Sequence, residues 1–417
     1  MTSLPKLYRD AVTITRELGV RYLWIDSLCI IQGQSTGPQS DWTQEAAKMG
    51  SVYRNSYCNI AAMDASDSTG TCFYEHKKTS TGVGTVHVGW KGEDFFLIDE
   101  RNREYPANRP LSKRAWVLQE ELLAPRALLF TNDQVYWECC TYKASEIFVR
   151  GYPDQRESED LLRGSDVKED VHSLKRRIHK TPSFSSESSH INPSISFWRS
   201  WKTIVEDYTR RYLTFPMDKT AAIAGIVSQL EVDHCEHPNL LKNRTYKAGL
   251  WYGINTIEQE LCWKAENNTP IRPHQYRAPT WSWLSVEGAI TYRRIDDLAI
   301  LDLKQQSCVQ SIKVVTSDRT STGQIQSGWI QIKGRLLENS SYSYVPDNET
   351  QPPPTHVSLL AMFSVYLSFY VWGLALRRTG SRSGRKCYER VGYFSIVNDF
   401  WIYEDFISAP IKVVRVI

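Results

Sequence analysis

The sequence has almost no surplus of charge of either sign. Its 50 Lys and Arg residues are balanced by 47 Asp and Glu residues, which leaves a net charge of +3 over 417 residues. Because a general nucleic-acid-binding protein needs a strongly basic surface, this balance argues against that class of partner. The sequence also lacks the phosphate loop GxxxxGK(S/T), the GxSxG elbow and the HExxH zinc motif, which excludes the enzyme families built on them.

The nine cysteines do not suggest a disulfide framework. Their number is odd, they are scattered along the chain, and Cys139 and Cys140 are adjacent. No secretory signal is recognisable at the N-terminus, so we expect reduced thiols in a cytoplasmic protein. His234, Cys235 and His237 lie close together, but no second ligand pair follows at zinc spacing. We therefore expect a surface loop there and no metal site.

One uncharged run has the length of a membrane span. Residues 357–376, VSLLAMFSVYLSFYVWGLAL, carry no charge, and a spanning helix needs roughly 20 apolar residues. Serines and tyrosines interrupt the run, however, and its β-branched and aromatic content is typical of buried strands. We predict two buried strands here, with a membrane-spanning helix as the alternative.

Helix and strand patterns alternate in the first 150 residues. LYRDAVTITRELG predicts a helix that ends at Gly19, and YLWID predicts a strand over residues 22–26. DWTQEAAKMGSVYRNS predicts a second helix, with Asp41 as N-cap and Tyr53 on its buried stripe. CNIAAM predicts a second strand.

A third helix and a hairpin complete this region. LSKRAWVLQEELL predicts a helix with Ser112 as N-cap, and ALLF-TNDQ-VYWEC predicts a hairpin around Asn132 and Asp133. Helices between short apolar strands indicate an α/β domain with a parallel sheet covered on both faces. We assign this domain to residues 1–150.

Two further segments follow the predicted α/β domain. Residues 151–195 are rich in charge and serine, which predicts an exposed flexible linker or loop. Residues 196–417 begin with amphipathic helices such as FWRSWKTIVEDYTRRYLTF and continue with strand-like segments after APTWSWLS. This order predicts an α+β C-terminal domain with helices first and strands after.

Polar residues follow the first predicted strand, where an open α/β sheet binds its ligands. Asp26 and Ser27 come directly after YLWI, so they are candidates for a binding site. The alternative is a strand-ending turn in which the Asp side chain caps nearby amides. Composition and spacing alone favour the turn.

The third helix carries a second candidate. Glu120 stands four residues after Trp116, so the two share a helix face, whereas Glu121 turns away from it. A carboxylate on the buried side has a raised pKa or a fixed partner, as catalytic carboxylates often do. The alternative, which composition favours, is a salt bridge with Arg114 or Arg126.

Three ordered blocks resemble the fungal heterokaryon incompatibility (HET) domain: LGVRYLWIDSLCIIQ, DWTQEAAKMGSVYRNSYCNIAA, and RAWVLQEELLAPRALLF with VYWEC. The likeness continues with segments that usually follow that domain, among them DKTAAIAGIVSQL, YKAGLWYG, RAPTWSWLS and YERVGYF. The resemblance implies a fungal protein of non-self recognition and programmed cell death. It also implies self-association through the HET domain and interaction with other incompatibility proteins.

The HET domain is in turn remotely similar to TIR domains, which implies a TIR/flavodoxin-like parallel sheet with flanking helices. Some TIR domains cleave NAD at the nicotinamide–ribose bond with a helix glutamate in a W-x-x-x-E pattern, and Trp116 and Glu120 fit that spacing. The resemblance therefore implies that Glu120 is catalytic and that Asp26, Ser27 and Trp116 bind the substrate. NAD is then a substrate, and no cofactor is implied.

Two features depart from the family pattern. HET domains usually begin with a strand resembling LSYVWG, and this chain starts after that position, which implies an N-terminally truncated domain that lacks its first strand. The residue after the glutamate is commonly Arg and is Glu121 here. Three functions remain open: an NAD-cleaving cell-death effector, a non-enzymatic module that signals by self-assembly, and an inactive truncated paralogue.

Overall fold

The computed structural model describes residues 4–31, 40–74, 86–90, 93–97, 109–146, 148–149, 151, 171–179, 193–236, 244–253, 257–266, 271–292, 303–318, 320–348, 356–382 and 385–417. The chain divides into two compact units, unit 1 (Met1–Ser185) and unit 2 (Ser186–Ile417). Unit 1 contains the candidate residues Asp26, Ser27, Trp116 and Glu120.

The helices of unit 1 are α1 (Lys6–Glu17), α2 (Asp26–Cys29), α3 (Asp41–Ala46), α4 (Met49–Arg54), α5 (Val117–Leu123) and the helix Val171–His179. Helix α1 buries Ile14 in the core, and the chain leaves it through Gly19. The φ of Gly19 is 68°, a left-handed conformation that glycine adopts without steric cost. The predicted first helix and its end are confirmed.

Both predicted N-caps in this unit are wrong. Ser40 caps α3, because its backbone is extended and its Oγ accepts the N–H of Thr43 at 3.2 Å. Asp41 is already helical, and its side chain accepts the N–H of Ile31 at 2.7 Å. Ser112 lies inside the 3-10 turn Leu111–Lys113, and α5 begins only at Val117 without a side-chain cap.

The strands of unit 1 are β1 (Asn59–Ala62), β2 (Val86–Trp90), β3 (Glu93–Leu97), β4 (Arg126–Phe130), β5 (Val135–Cys139) and β6 (Lys143–Ser145). One sheet has the order β1-β4-β5-β6, in which β1 and β4 are parallel and the other pairs antiparallel. The hairpin predicted around Asn132 and Asp133 is confirmed, with Phe130 opposite Val135. The mixed α/β class is confirmed, but the predicted parallel sheet is found only in the β1–β4 pair of this sheet. A TIR/flavodoxin-like fold stays a prediction.

The strand predicted over residues 22–26 is wrong. Within the described residues, 22–25 pair with no strand, and helix α2 begins at Asp26. Tyr22 is exposed, while Trp24 packs edge-on against Tyr53 of α4 with ring centroids 5.9 Å apart. This apolar segment is therefore held by packing of its side chains and not by a ladder of backbone hydrogen bonds.

Helix α5 is anchored by Leu118 and Leu122, both of which are fully buried. The ring Nε2 of His179, in the helix Val171–His179, lies 3.1 Å from the carbonyl oxygen of Leu122. That helix falls within residues 151–195, the segment predicted as a linker or loop. Residues 152–170 and 180–192 of the same segment lie outside the described residues.

Unit 2 has helices before strands, as predicted for an α+β region. Its helices before the main sheet are Pro193–Arg210, Ala221–Glu236 and Ile257–Glu260. Two small antiparallel pairs join β7 (Thr245–Lys247) to β8 (Leu250–Tyr252) and β9 (Trp263–Ala265) to β10 (Ile290–Tyr292). His234 and Cys235 lie on the second helix, and His237 lies outside the described residues.

The main sheet of unit 2 is formed by β11 (Leu303–Gln305), β12 (Ser307–Thr316), β13 (Ile325–Ser340), β14 (Val345–Pro346), β15 (Val357–Val365), β16 (Tyr370–Arg382), β17 (Arg385–Ile396) and β18 (Ile411–Val416). The strand order is β11-β15-β16-β17-β18-β13-β12, and β14 pairs with β17. Helix Phe400–Ser408 packs Phe406 into the same core as Phe394 of β17.

The uncharged run 357–376 is confirmed as strands. It covers β15 and the first part of β16, which pair antiparallel with Ser358 opposite Leu376. All nine residues of β15 are buried. None of the helices in the described part of the chain has the length and apolar content to cross a membrane.

Arg390 of β17 is a fully buried cation that holds three segments of unit 2 together. Its guanidinium donates to both carboxylate oxygens of Asp347, at 2.8 and 3.2 Å, and to the carbonyl oxygens of Leu261 and Trp263. The guanidinium also lies over the ring of Trp263, 3.4 Å from its centroid. Because Arg390 and Asp347 are both buried and paired with each other, this ion pair fixes the geometry of the surrounding strands.

Candidate functional site in unit 1

A cavity of about 270 Å³ lies in unit 1 between helices and strand β1. Its walls come from α1, residues 24–26, α4, β1, the turn over residues 65–68, residues 110–114 and α5. Two of the predicted site residues, Asp26 and Glu120, line it together. Residues almost a hundred positions apart in the sequence thus face the same space.

Helix α5 places Glu120 at this cavity. Leu118 and Leu122 are buried on either side of it in sequence and fix the rotation of the helix about its axis. The hydroxyl of Tyr53 on α4 donates a hydrogen bond to the Glu120 carboxylate. The side chain is therefore held in one direction by a partner on a different helix.

The surroundings of Glu120 disfavour its charged form. Burial is the largest cause and the nearby negative charge of Asp26 the second, and together they raise the pKa of Glu120 from 4.5 to about 7. The hydrogen bond from Tyr53 and the positive charge of Arg114 lower the pKa, but by less. Near neutral pH the carboxyl is thus present in both protonation states.

Asp26 and Ser27 have different roles in the structure. Asp26 begins α2, is exposed, and accepts the backbone N–H of Ser27 at 2.7 Å while lining the cavity. Ser27 is not among the residues that line it, and its hydroxyl lies 2.7 Å from the hydroxyl of Tyr8 on α1. Since Tyr8 and Asp26 both line the cavity, Ser27 contacts the site through these two residues.

Trp116 is likewise outside the cavity lining. Its ring packs edge-on against Trp42 of α3, with centroids 6.1 Å apart. This contact joins the start of α5 to α3 and supports a role in positioning the helix that carries Glu120. The expectation that Trp116 itself contacts a substrate remains a prediction.

The alternative of a salt bridge between Glu120 and Arg114 or Arg126 is only partly supported. Arg126 donates to the carbonyl oxygen of Tyr57 at 2.9 Å and lies over the Tyr57 ring. Arg114 lines the cavity and lowers the pKa of Glu120, but burial and Asp26 outweigh it. Glu121, expected to turn away from the buried face, is itself buried within unit 1.

Tyr53 is the site residue that sequence reasoning missed. The pattern of α4 predicted a buried Tyr53, which is correct, but assigned it only to packing. A buried tyrosine hydroxyl requires a hydrogen-bond partner, and here the partner is Glu120. Burial and the charge of Glu120 hold the pKa of Tyr53 well above its usual value, so the phenol stays protonated and keeps donating.

The cavity has the groups for acid–base and electrostatic chemistry, and its thiol is inert. A carboxyl with a pKa of about 7 can donate a proton in one state and stabilise a developing cation in the other. Burial raises the pKa of Cys72, the cysteine in the lining, to about 12, so it is not a thiolate nucleophile near neutral pH. Among the residues that the structure describes, no three His, Cys, Asp or Glu side chains are placed to hold a metal ion.

Comparison with known families identifies the segment that carries this site. Residues 1–120 match the family model described as heterokaryon incompatibility protein (HET). The match includes both Asp26 and Glu120 and supports the HET identification made from the sequence blocks. No curated protein and no solved structure matches the chain.

Proposed function

We propose, from the HET match over residues 1–120, that this segment acts in a fungal non-self recognition response and triggers programmed cell death by cleaving NAD. The observation that carries the enzymatic part is the placement of Glu120. A half-buried carboxyl with a pKa of about 7 lines a cavity together with a second carboxylate, Asp26. Perturbed carboxyl groups in clefts are concentrated at functional sites.

The reaction is hydrolysis of the nicotinamide–ribose bond. The C–N bond breaks, its electron pair goes to the pyridinium nitrogen, and neutral nicotinamide leaves behind an oxocarbenium-like ribose. Water then adds to the ribose carbon and releases a proton, which gives ADP-ribose. This transition state resembles that of glycoside hydrolysis, in which a carboxylate beside the sugar stabilises the positive charge.

Glu120 supplies that carboxylate. Because its charge is poorly solvated in the cavity, it interacts more strongly with a developing cation than a carboxylate in water does. The exposed Asp26 adds a second negative charge at the same space. Tyr53 holds the Glu120 carboxylate in place through its hydrogen bond. The ionised form of Glu120 does the work, so the rate rises with pH through about 7.

The size of the cavity limits which part of the substrate it encloses. Its volume of about 270 Å³ lies near the lower end, roughly 300 Å³, of pockets that bind small molecules. Such a space suits the nicotinamide riboside half of the dinucleotide. The adenosine half would extend past the exposed Asp26.

The direct test is release of nicotinamide from NAD by the purified chain. We expect Glu120→Gln to reduce the rate at least about 100-fold without unfolding the protein, as expected for loss of a group that stabilises transition-state charge. Glu17→Gln on the exposed face of α1 makes the same chemical change away from the cavity and should keep the rate. Nicotinamide release at background level by folded wild-type protein, or equal loss in both variants, would refute NAD cleavage.

A second candidate function is signalling by self-assembly without catalysis. Within the described residues, β1 pairs with β4 on one side and with no strand on the other. An unpaired strand edge can add a strand from another chain, which is how many assemblies form. If expression in yeast is toxic and Glu120→Gln stays fully toxic, while light scattering shows concentration-dependent oligomers, the self-assembly function is favoured.

A further inference from the structure

Unit 2 contains a separate cavity of about 600 Å³. It is lined by residues 208–213 at the end of the helix Pro193–Arg210, by Lys219 and Glu266, and by residues 287–289. The volume lies well inside the range of roughly 300–1,000 Å³ found for small-molecule sites. None of these residues belongs to the proposed NAD site.

Lys219 is the unusual group in this lining. It ends the 3-10 helix Pro216–Lys219 and is 3% exposed. Its Nζ donates to the carbonyl oxygen of Val286 and lies 5.7 Å from the centroid of the Trp283 ring. The hydroxyl of Tyr208 donates to the backbone oxygen of Lys219 at 2.7 Å, which fixes the lysine at the cavity wall.

The charged groups around Lys219 already have partners among themselves. The pairs are Arg210 with Glu266, Arg211 with Asp207, and Arg277 with Glu287. In the part of the chain that the structure describes, no carboxylate forms an ion pair with Lys219. Burying an ammonium without a counter-ion is strongly unfavourable, so native proteins rarely keep one without a use for it.

The pKa of Lys219 is consistent with a buried ammonium that has no ion-pair partner among the described residues. Burial is the main cause that lowers its pKa to about 7, and the positive charge of Arg277 lowers it further, while Glu287 opposes both. Arg277 is buried and donates to the carbonyl oxygens of Leu284 and Val286, so its charge is fixed beside the lysine. An anion in the cavity would restore the charged form of Lys219.

We propose that this cavity binds a small organic anion whose carboxylate or phosphate group serves as the counter-ion of Lys219. The polar side of the cavity provides the cations Lys219, Arg210 and Arg211 and the carboxylates Glu266 and Glu287, each of which is already paired with an arginine. Tyr208 and Leu213 provide apolar surface for the organic part. Both kinds of anion would meet the same cation, so the test has to distinguish them.

Radiolabelled sulfate and acetate are suitable probes for equilibrium dialysis with the full chain. Sulfate has the tetrahedral geometry of phosphate, acetate is the smallest common carboxylate, and neither changes protonation between pH 6 and pH 9. We expect one saturable site per chain for at least one probe at pH 6. Because the bound state needs a charged lysine, binding should weaken about tenfold for each pH unit above 7.

Two variants test whether binding needs a cation at position 219 and whether its pH dependence comes from the lysine. Lys219→Met should abolish binding, and its fold can be checked by circular dichroism, since methionine is a hydrophobic side chain of similar length. Lys219→Arg should bind with little dependence on pH, because arginine does not lose its proton in this range. Lys333→Met removes an exposed lysine of β13 and should bind like the wild type.

The outcomes decide both the site and its ligand class. Binding of sulfate alone assigns a phosphate-type ligand, and binding of acetate alone assigns a carboxylate. No saturable binding of either anion by folded wild-type protein at pH 6 would overturn the proposal. Binding that Lys219→Met leaves unchanged would overturn it as well.

Discussion

Glu120→Gln should stabilise the protein at neutral and alkaline pH and leave its stability in acid unchanged. Burial and Asp26 raise the pKa of Glu120 from 4.5 to about 7. One pKa unit corresponds to about 1.4 kcal/mol, so charging this carboxyl costs about 3 kcal/mol more in the folded protein than in the unfolded chain. Glutamine keeps the shape of the side chain and has no charge to desolvate.

The direction of the pH dependence follows from proton counts. Between pH 4.5 and about 7 the folded protein keeps a proton on Glu120 that the unfolded chain has released. The free energy of unfolding of the wild type therefore falls as the pH rises through this window. The Glu120→Gln variant does not lose this stability, because glutamine does not titrate. Its advantage should be near zero at the acid end and reach about 3 kcal/mol above pH 7, as an upper value.

Urea unfolding of the full chain at about pH 5 and pH 8, followed by circular dichroism, measures this difference. Glu17→Gln, on the exposed surface of α1, should change the free energy of unfolding by less than about 0.5 kcal/mol at both values. A Glu120→Gln protein that is less stable than the wild type at pH 8 would refute the reasoning. It would mean that Tyr53 and Arg114 stabilise the carboxylate more than burial destabilises it.

Three further substitutions test the geometry around Glu120 and around the buried Arg390–Asp347 pair. Asp26→Asn should lower the pKa of Glu120 because it removes a like charge, and Tyr53→Phe should raise it because it removes a hydrogen bond to the carboxylate. Each shift is measured by comparing the free energy of unfolding of the single variant with that of its Glu120→Gln double variant as a function of pH, since the midpoint of this difference follows the pKa of Glu120. Shifts of the midpoint in the same direction for both variants would contradict this arrangement. Arg390→Met should destabilise the protein by at most about 3–5 kcal/mol, since it leaves the buried Asp347 with Arg272, 3.3 Å away, as its remaining ion-pair partner among the described residues. Denaturant unfolding measures this loss, and replacing Arg390 and Asp347 together by apolar residues should recover much of it.

Several local sequence patterns correctly predicted helices and strands of the structure. Helix α1 follows from the spacing of its apolar residues and its glycine end, and the β4–β5 hairpin follows from its turn residues. The strands β15 and β16 within the uncharged run follow from its β-branched and aromatic content. The resemblance of three sequence blocks to the HET domain is supported by the match over residues 1–120. The candidate carboxyl Glu120 was selected from its spacing to Trp116 together with the resemblance to the TIR pattern, and its role stays a prediction.

The N-cap of α3 and the conformation of the short apolar segment 22–25 could not be predicted from the local sequence. Residues 22–25 have the composition of a strand, but Trp24 packs on Tyr53 and no described strand pairs with them. Whether Ser40 or Asp41 caps α3 depends on one backbone torsion that neither residue type dictates. Composition specifies that a segment is apolar, whereas its hydrogen-bonding partners depend on which segments the tertiary fold places beside it.

The sequence by itself determined that this chain contains an α/β segment with the HET blocks, a strand-rich C-terminal part, and a glutamate on the rim of an apolar helix. Only the tertiary structure decided that Glu120, Asp26 and Tyr53 meet at one cavity and that Ser27 and Trp116 support it from outside. Only the structure, too, showed a buried lysine at a second cavity that forms no ion pair with any described carboxylate. A pKa depends on burial and on charges brought together by folding, so residues that set it are separated in sequence and adjacent only in space.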